Sequence, residues 1–119
     1  MMDVLLVDDS RLSRMTVKKC LEQKISDWTF IEASNGMEAL SLFEEHPVDH
    51  AVLDYNMPEI DGIELAVKLQ EKNKNIKIAI VTANMQEYLR EEAKKINCIM
   101  VGKPLNDTTT GGILEFFEG

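Results

Sequence analysis

Residues 4–21 read VLLVDDSRLSRMTVKKCL. Four apolar residues, Val4 to Val7, run straight into two adjacent carboxylates, Asp8 and Asp9, and the pattern then changes period. Leu12, Thr16, Val17, Cys20 and Leu21 fall on one face at helical spacing, and Ser10 stands where a helix N-cap is wanted. A short, unbroken apolar run suits a strand covered on both faces. The stretch is therefore one strand–loop–helix unit, with two like charges side by side on its loop.

The same unit recurs along the chain. TFIEA (29–33) reads as a second strand, Ser34-Asn35-Gly36 as turn chemistry, and Ala39, Leu40 and Phe43 as a second helix that stops before Pro47. HAVLD (50–54) is a third strand, and Asp61-Gly62 precedes a helix carrying Leu65, Ala66 and Leu69. IKIAIVT (76–82) is a fourth strand, followed by a helix with Leu89, Ala93 and Ile96, for which Asn97 supplies a left-handed end. CIMVG (98–102) is a fifth strand, and a last helix around Ile113, Leu114 and Phe117 follows Lys103-Pro104. Strict alternation of strand and helix implies βαβ crossovers and a parallel sheet covered on both faces.

The chain has 119 residues, enough for one domain with a moderate core, and no linker, repeat or low-complexity segment divides it. Apolar residues make up 45 % and charged residues 29 %, which is neither a disordered nor a membrane composition. The apolar run nearest the N-terminus is four residues long and crowded by Asp3, Asp8 and Asp9, so it is no secretion signal, and a cytoplasmic protein without membrane insertion is expected. A net charge of −8 opposes binding to nucleic-acid phosphates and suits a cation or a basic partner surface. Cys20 and Cys98 lack CxxC spacing and read as reduced, small apolar residues.

In an open α/β sheet, ligands bind beyond the carboxyl ends of the strands. Strand one ends in Asp8 and Asp9, strand three in Asp54, strand four in Thr82, and strand five next to Lys103. Three carboxylates, a hydroxyl and an ammonium thus converge on one rim. Carboxylates gathered at one point repel unless a cation neutralises them, and an oxygen-only donor set selects a hard ion such as Mg²⁺. An aspartate can also be a nucleophile that forms an aspartyl phosphate, and Asp54 is the candidate. Lys103 would neutralise phosphoryl oxygens, and Thr82 would hydrogen-bond one of them.

With VDDS (7–10), LDYNMPEIDG (53–62), VTAN (81–84) and GKP (102–104), the sequence resembles the receiver domain of two-component response regulators, of the single-domain chemotaxis type. The likeness covers essentially the whole chain. The intervals also agree: 45 residues from Asp9 to Asp54, 28 to Thr82 and 21 more to Lys103. The resemblance implies a flavodoxin-like fold, five parallel strands in order 2-1-3-4-5 with helices on both faces. It implies that Asp54 accepts a phosphoryl group from a sensor histidine kinase or a phosphotransfer protein. Asp9 would be a direct Mg²⁺ ligand, Asp8 would act through water, and Asn56 would offer a backbone carbonyl. Thr82, Ala83 and Lys103 would contact the phosphoryl group, and Lys103-Pro104 would be a cis peptide. Met57-Pro58 and Asp61-Gly62 would shape the acceptor loop. Phosphorylation would move Thr82 and remodel the surface of the fourth helix, fifth strand and fifth helix, where an output protein binds. Such a domain catalyses only its own phosphorylation and dephosphorylation. No output domain is expected after residue 119, so readout is expected by protein contact or relay.

Three features depart from that pattern. Three residues before the lysine the family usually carries Tyr or Phe, where Met100 stands here; it either fills the space Thr82 vacates or packs beneath the last helix. Thr108 to Thr110 and Gly111-Gly112 cost the last helix about 2–3 kcal/mol relative to alanines, which predicts a short or frayed helix beginning near Gly111 and exposing Phe116 and Phe117. Asn56 and Asn84 stand two residues after the acceptor and two after Thr82; uncharged, they point to ordinary rather than very fast self-hydrolysis. His46, His50 and Trp28 belong to the opposite end of the sheet. Other chemistries fit less well. A haloacid-dehalogenase-like phosphatase wants DxDx[TV] after strand one, where DDSRL stands, and no GxGxxG or GK[ST] marks a nucleotide site. A degenerate receiver serving only as a docking module would not need Asp9, Asp54, Thr82 and Lys103 together.

Overall fold

The computed structural model describes residues 2–25 and 27–119. Among these, five strands and five helices alternate: β1 (Met2–Val7), α1 (Arg11–Lys24), β2 (Trp28–Ala33), α2 (Gly36–Glu45), β3 (His50–Asp54), α3 (Gly62–Lys72), β4 (Lys77–Thr82), α4 (Glu87–Lys95), β5 (Ile99–Gly102) and α5 (Asp107–Glu118). Every neighbouring pair is parallel and the order is β2-β1-β3-β4-β5.

Strand parity divides the core in two, because successive side chains leave a strand on opposite faces. Leu5, Val7, Leu53, Ile78 and Ile80 pack with Phe43, Leu65, Leu69 and Leu89 from α2, α3 and α4. Val4, Leu6, Val52, Ala79 and Val81 pack with Val17, Leu21, Ile113 and Phe117 from α1 and α5. This two-sided burial is what the unbroken apolar strands encode. No helix among the described residues is long and apolar enough to cross a membrane.

The helix ends are written in short polar residues. Ser10, Asn35 and Asp61 cap α1, α2 and α3, each accepting a backbone N–H three residues on. Asn97 takes the left-handed φ of 60° after α4; its N–H donates to Lys94 O at 3.0 Å and that of Cys98 to Ala93 O at 2.9 Å, a Schellman closure.

The last helix differs from the sequence expectation. It begins at Asp107, not near Gly111, because Asn106 and Thr109 form a reciprocal capping box at 2.9 Å each way. The extra turn anchors Thr110, Ile113 and Phe117 in the core, so Phe117 is buried rather than exposed, and Phe116 is half-buried. Phe117 lies against Trp28 and His50, with ring centroids 5.7 and 4.8 Å apart. The glycines that argued for fraying meet no neighbour: a Cβ at Gly111 or Gly112 would stand in open space. Gly111→Ala with Gly112→Ala is therefore expected to raise stability by about 1–2 kcal/mol, read as a higher urea midpoint with an unchanged slope.

Of the two places expected for Met100, the one beneath the last helix is not the one it takes. It packs among Leu89, Ala93 and Cys98 on the α4 side, while its neighbours Ile99 and Val101 turn toward α5. Leu12, on the apolar stripe of α1, is largely exposed; it sits in the first helical turn, and the buried residues of α1 are Val17 and Leu21.

Candidate functional site

The carboxyl ends of β1, β3, β4 and β5 gather the predicted residues. Asp8 and Asp54 are buried and Asp9 is exposed, and each offers a carboxylate oxygen within 4.8 Å of the others. Lys103 reaches in from the β5–α5 connection: its Nζ donates to Asp8 Oδ2 at 2.9 Å and lies 3.0 Å from Asp54 Oδ1. The lysine is held where it is needed by its own backbone, whose N–H donates to Thr82 O at 2.8 Å. Asp8 is oriented in turn by Ser10 N–H, which donates to its Oδ1 at 3.0 Å.

The charges are mismatched in number: three carboxylates face one ammonium. Burial pushes the Asp54 carboxyl above its ordinary value; Lys103 draws it down, and Asp8 and Asp9 push it further up. Burial alone would lower the Lys103 ammonium, but its contacts with Asp8 and Asp54 outweigh that and hold it above the usual range. A divalent cation fits this deficit. The donors are all oxygens, one is open to solvent, and their spread is on the scale of the roughly 4 Å across an Mg²⁺ coordination shell.

Thr82 is fully buried at the end of β4, and its Oγ1 accepts from Asn84 N–H at 3.2 Å. Ala83 is exposed and lines a groove with Lys103 and Ser13. Asn56 is exposed in the loop after β3. There the chain turns sharply: Glu59 adopts a left-handed φ of 71°, and Ile60 N–H donates to Pro58 O at 2.9 Å. The loop then closes on the acceptor, with Gly62 N–H donating to Tyr55 O at 3.0 Å. Met100 stands back from the carboxylates, paired with Ile80 two residues below Thr82. The Lys103-Pro104 peptide is cis. His46 and His50 lie at the other end of β3, where His50 Nε2 is 3.3 Å from Phe117 O.

Two contributors were not read from the sequence. Ser13 Oγ accepts from Lys103 Nζ at 2.6 Å, and Arg14 Nη1 donates to the carbonyl of Asp8 at 2.6 Å while its Nε donates to Glu32 at 3.0 Å. The available signal was their place in the first turn of a helix that starts at the rim. Cys98, by contrast, is a core residue: burial pushes its thiol up to about 12.

The model of the response regulator receiver domain family matches residues 4–109. Chemotaxis protein CheY of Listeria monocytogenes is 33 % identical over 96 residues, covering 80 % of this chain and 79 % of that protein. Sensor protein EvgS of Escherichia coli O157:H7 is 35 % identical over 99 residues; the match takes in 83 % of this chain but 8 % of the sensor's length. The solved structure of Vibrio cholerae chemotaxis protein CheY4 superposes with a TM-score of 0.81 at 30 % identity, covering 97 % of both chains.

Proposed function

The chain belongs to the response regulator receiver domain family, and from that premise we propose that residues 1–119 form one receiver domain whose Asp54 accepts a phosphoryl group. The donor is a phosphohistidine of a sensor histidine kinase or phosphotransfer protein. An Asp54 carboxylate oxygen bonds to phosphorus as the P–N bond breaks; the electron pair of that bond stays on the ring nitrogen, and because the other ring nitrogen carries a proton the imidazole leaves neutral. The observation that carries this reading is one buried acceptor, Asp54, held by Lys103 with Asp8 and Asp9 beside it.

Each residue has a task. Asp8, Asp9, Asp54 and the Asn56 carbonyl would hold Mg²⁺, which supplies positive charge against the carboxylates and the incoming phosphoryl oxygens. Lys103 neutralises one phosphoryl oxygen, Thr82 donates to another once its side chain turns, and the Ala83 N–H donates as well. Thr82 and Met100 carry the change to the α4-β5-α5 surface, which meets the output protein. The likeness to chemotaxis proteins supports readout by contact in the cytoplasm, and the net charge of −8 supports a partner other than nucleic acid. The domain catalyses its own phosphorylation and dephosphorylation only.

The test is intact mass after incubation with Mg²⁺ and acetyl phosphate. Wild type is expected to gain one phosphoryl group and Asp54→Ala none. No gain in wild type from either acetyl phosphate or a phosphohistidine donor would favour a docking module, and turnover of many phosphomonoesters a phosphatase.

A further inference from the structure

An ammonium has three protons to donate, and that of Lys103 has three acceptors within reach. Asp8 Oδ2 at 2.9 Å and Asp54 Oδ1 at 3.0 Å are the carboxylates already discussed; the third, and shortest, is Ser13 Oγ at 2.6 Å. That hydroxyl belongs neither to the metal-holding carboxylates nor to the groups that would contact the phosphoryl oxygens.

Ser13 is held firmly enough to matter. It is the third residue of α1, and its N–H donates to the capping Ser10 Oγ at 3.2 Å. One residue on, Arg14 ties the same turn to the end of β1 through the Asp8 carbonyl and to β2 through Glu32. Lys18, a turn later, reaches Glu32 as well, at 3.1 Å. Helix α1 is thus fixed to two strands beside the site, and Ser13 extends from that fixed base to the lysine. The lysine itself is a compact charge on a flexible four-carbon stem, free to swing unless restrained. Two acceptors leave Nζ free to swing about the line joining them; a third, off that line, fixes its position.

We propose that Ser13 is a positioning residue for Lys103, holding the ammonium aligned at the acceptor before the phosphoryl group arrives. The inference rests on the reading of Asp54 as that acceptor. Pre-alignment acts on rate: the charge that must meet the phosphoryl oxygens is already in place, with no reorientation at the moment of transfer. It predicts that the hydroxyl matters only through the lysine.

The experiment compares wild type, Ser13→Ala, Ser13→Thr, Lys103→Ala and the Ser13→Ala/Lys103→Ala double variant. The rate of phosphoryl uptake from acetyl phosphate at saturating Mg²⁺ is read by intact mass, and urea midpoints establish that each variant is folded. Ser13→Ala is expected to slow uptake about tenfold, the scale of one hydrogen bond to a charged group. Ser13→Thr, which keeps the hydroxyl, is expected to stay within about twofold of wild type. In the Lys103→Ala background, Ser13→Ala is expected to change nothing further. Wild-type rates in Ser13→Ala would overturn the proposal, as would equal slowing with and without the lysine, which would mark a general effect on α1. A wild type that takes up no phosphoryl removes the acceptor reading and this role with it, and that failure is distinct because it precedes any change at residue 13.

Discussion

Lys103→Ala is expected to destabilise the metal-free protein by about 2–4 kcal/mol at pH 7 and to slow phosphoryl uptake about a hundredfold. The stability loss follows from what is left behind. Asp8 and Asp54 are both buried, both are bound by the same ammonium, and Asp9 stands beside them. Removing the cation strands carboxylates that repel one another in a partly dry site. The pH dependence has a definite sign. The Lys103 ammonium titrates above its ordinary value of 10.5 in the folded protein, so its contribution is complete below that value and is lost as pH rises through the folded one. At the acid end, the Asp54 carboxyl already sits above its ordinary value of 3.8. As pH falls through that raised value the carboxylate is neutralised, and the gap between wild type and variant narrows. Mg²⁺ is expected to narrow it too, because a divalent ion replaces the missing charge. Urea denaturation at pH 7 and at pH 4, with and without Mg²⁺, checks the loss at pH 7 and its narrowing in acid and with the metal; a variant as stable as wild type in metal-free buffer at pH 7 contradicts the account.

Gly62→Ala is expected to cost about 1–3 kcal/mol through overpacking, and to slow uptake by one to two orders of magnitude. The added Cβ would lie 2.7 Å from the carbonyl oxygen of Asp54 and 2.9 Å from Tyr55 Cα. Both are backbone atoms at the end of β3, so no side chain can move aside. Either α3 withdraws or the acceptor shifts, and a displacement near 1 Å is enough to spoil alignment for transfer. The same change at Gly111 and Gly112 has the opposite sign, since those positions face open space. At Gly36 the new atom would meet the Cδ1 and Cγ1 of the Ile60 side chain rather than backbone. Stopped-flow or quenched-mass kinetics for Gly62→Ala, beside a urea midpoint, separate the two effects.

How much of this was visible in the sequence depended on the range of the interaction that decides it. The strands were legible because burial on both faces leaves an unbroken apolar run, as in Val4–Val7 and Ile78–Val81. The site was legible because its residues terminate those runs, so finding the strands located Asp8, Asp54 and Thr82 together. The start of α5 was misread: summed propensities of Thr108–Gly112 spoke against a helix, while a single capping box at Asn106 and Thr109 outweighed them. Met100 was ambiguous because a four-residue strand gives too few alternations to fix which face is which. Ser13 was invisible for a different reason. Its partner is 90 residues away, and no local pattern records a contact of that kind.

That separation has a consequence for assembly. Lys103 enters from β5, an edge strand paired with β4, while Asp8 stands at the end of β1, with β4 and β3 lying between. The site is a circuit closed by its last conductor: a molecule whose β5 has frayed keeps its acidic cluster but has no ammonium to set against it. On the proposed reading of Asp54 as acceptor, reactivity would therefore report on completion of the sheet, and an unfinished or locally opened chain would react slowly for want of its ammonium, with no separate regulator.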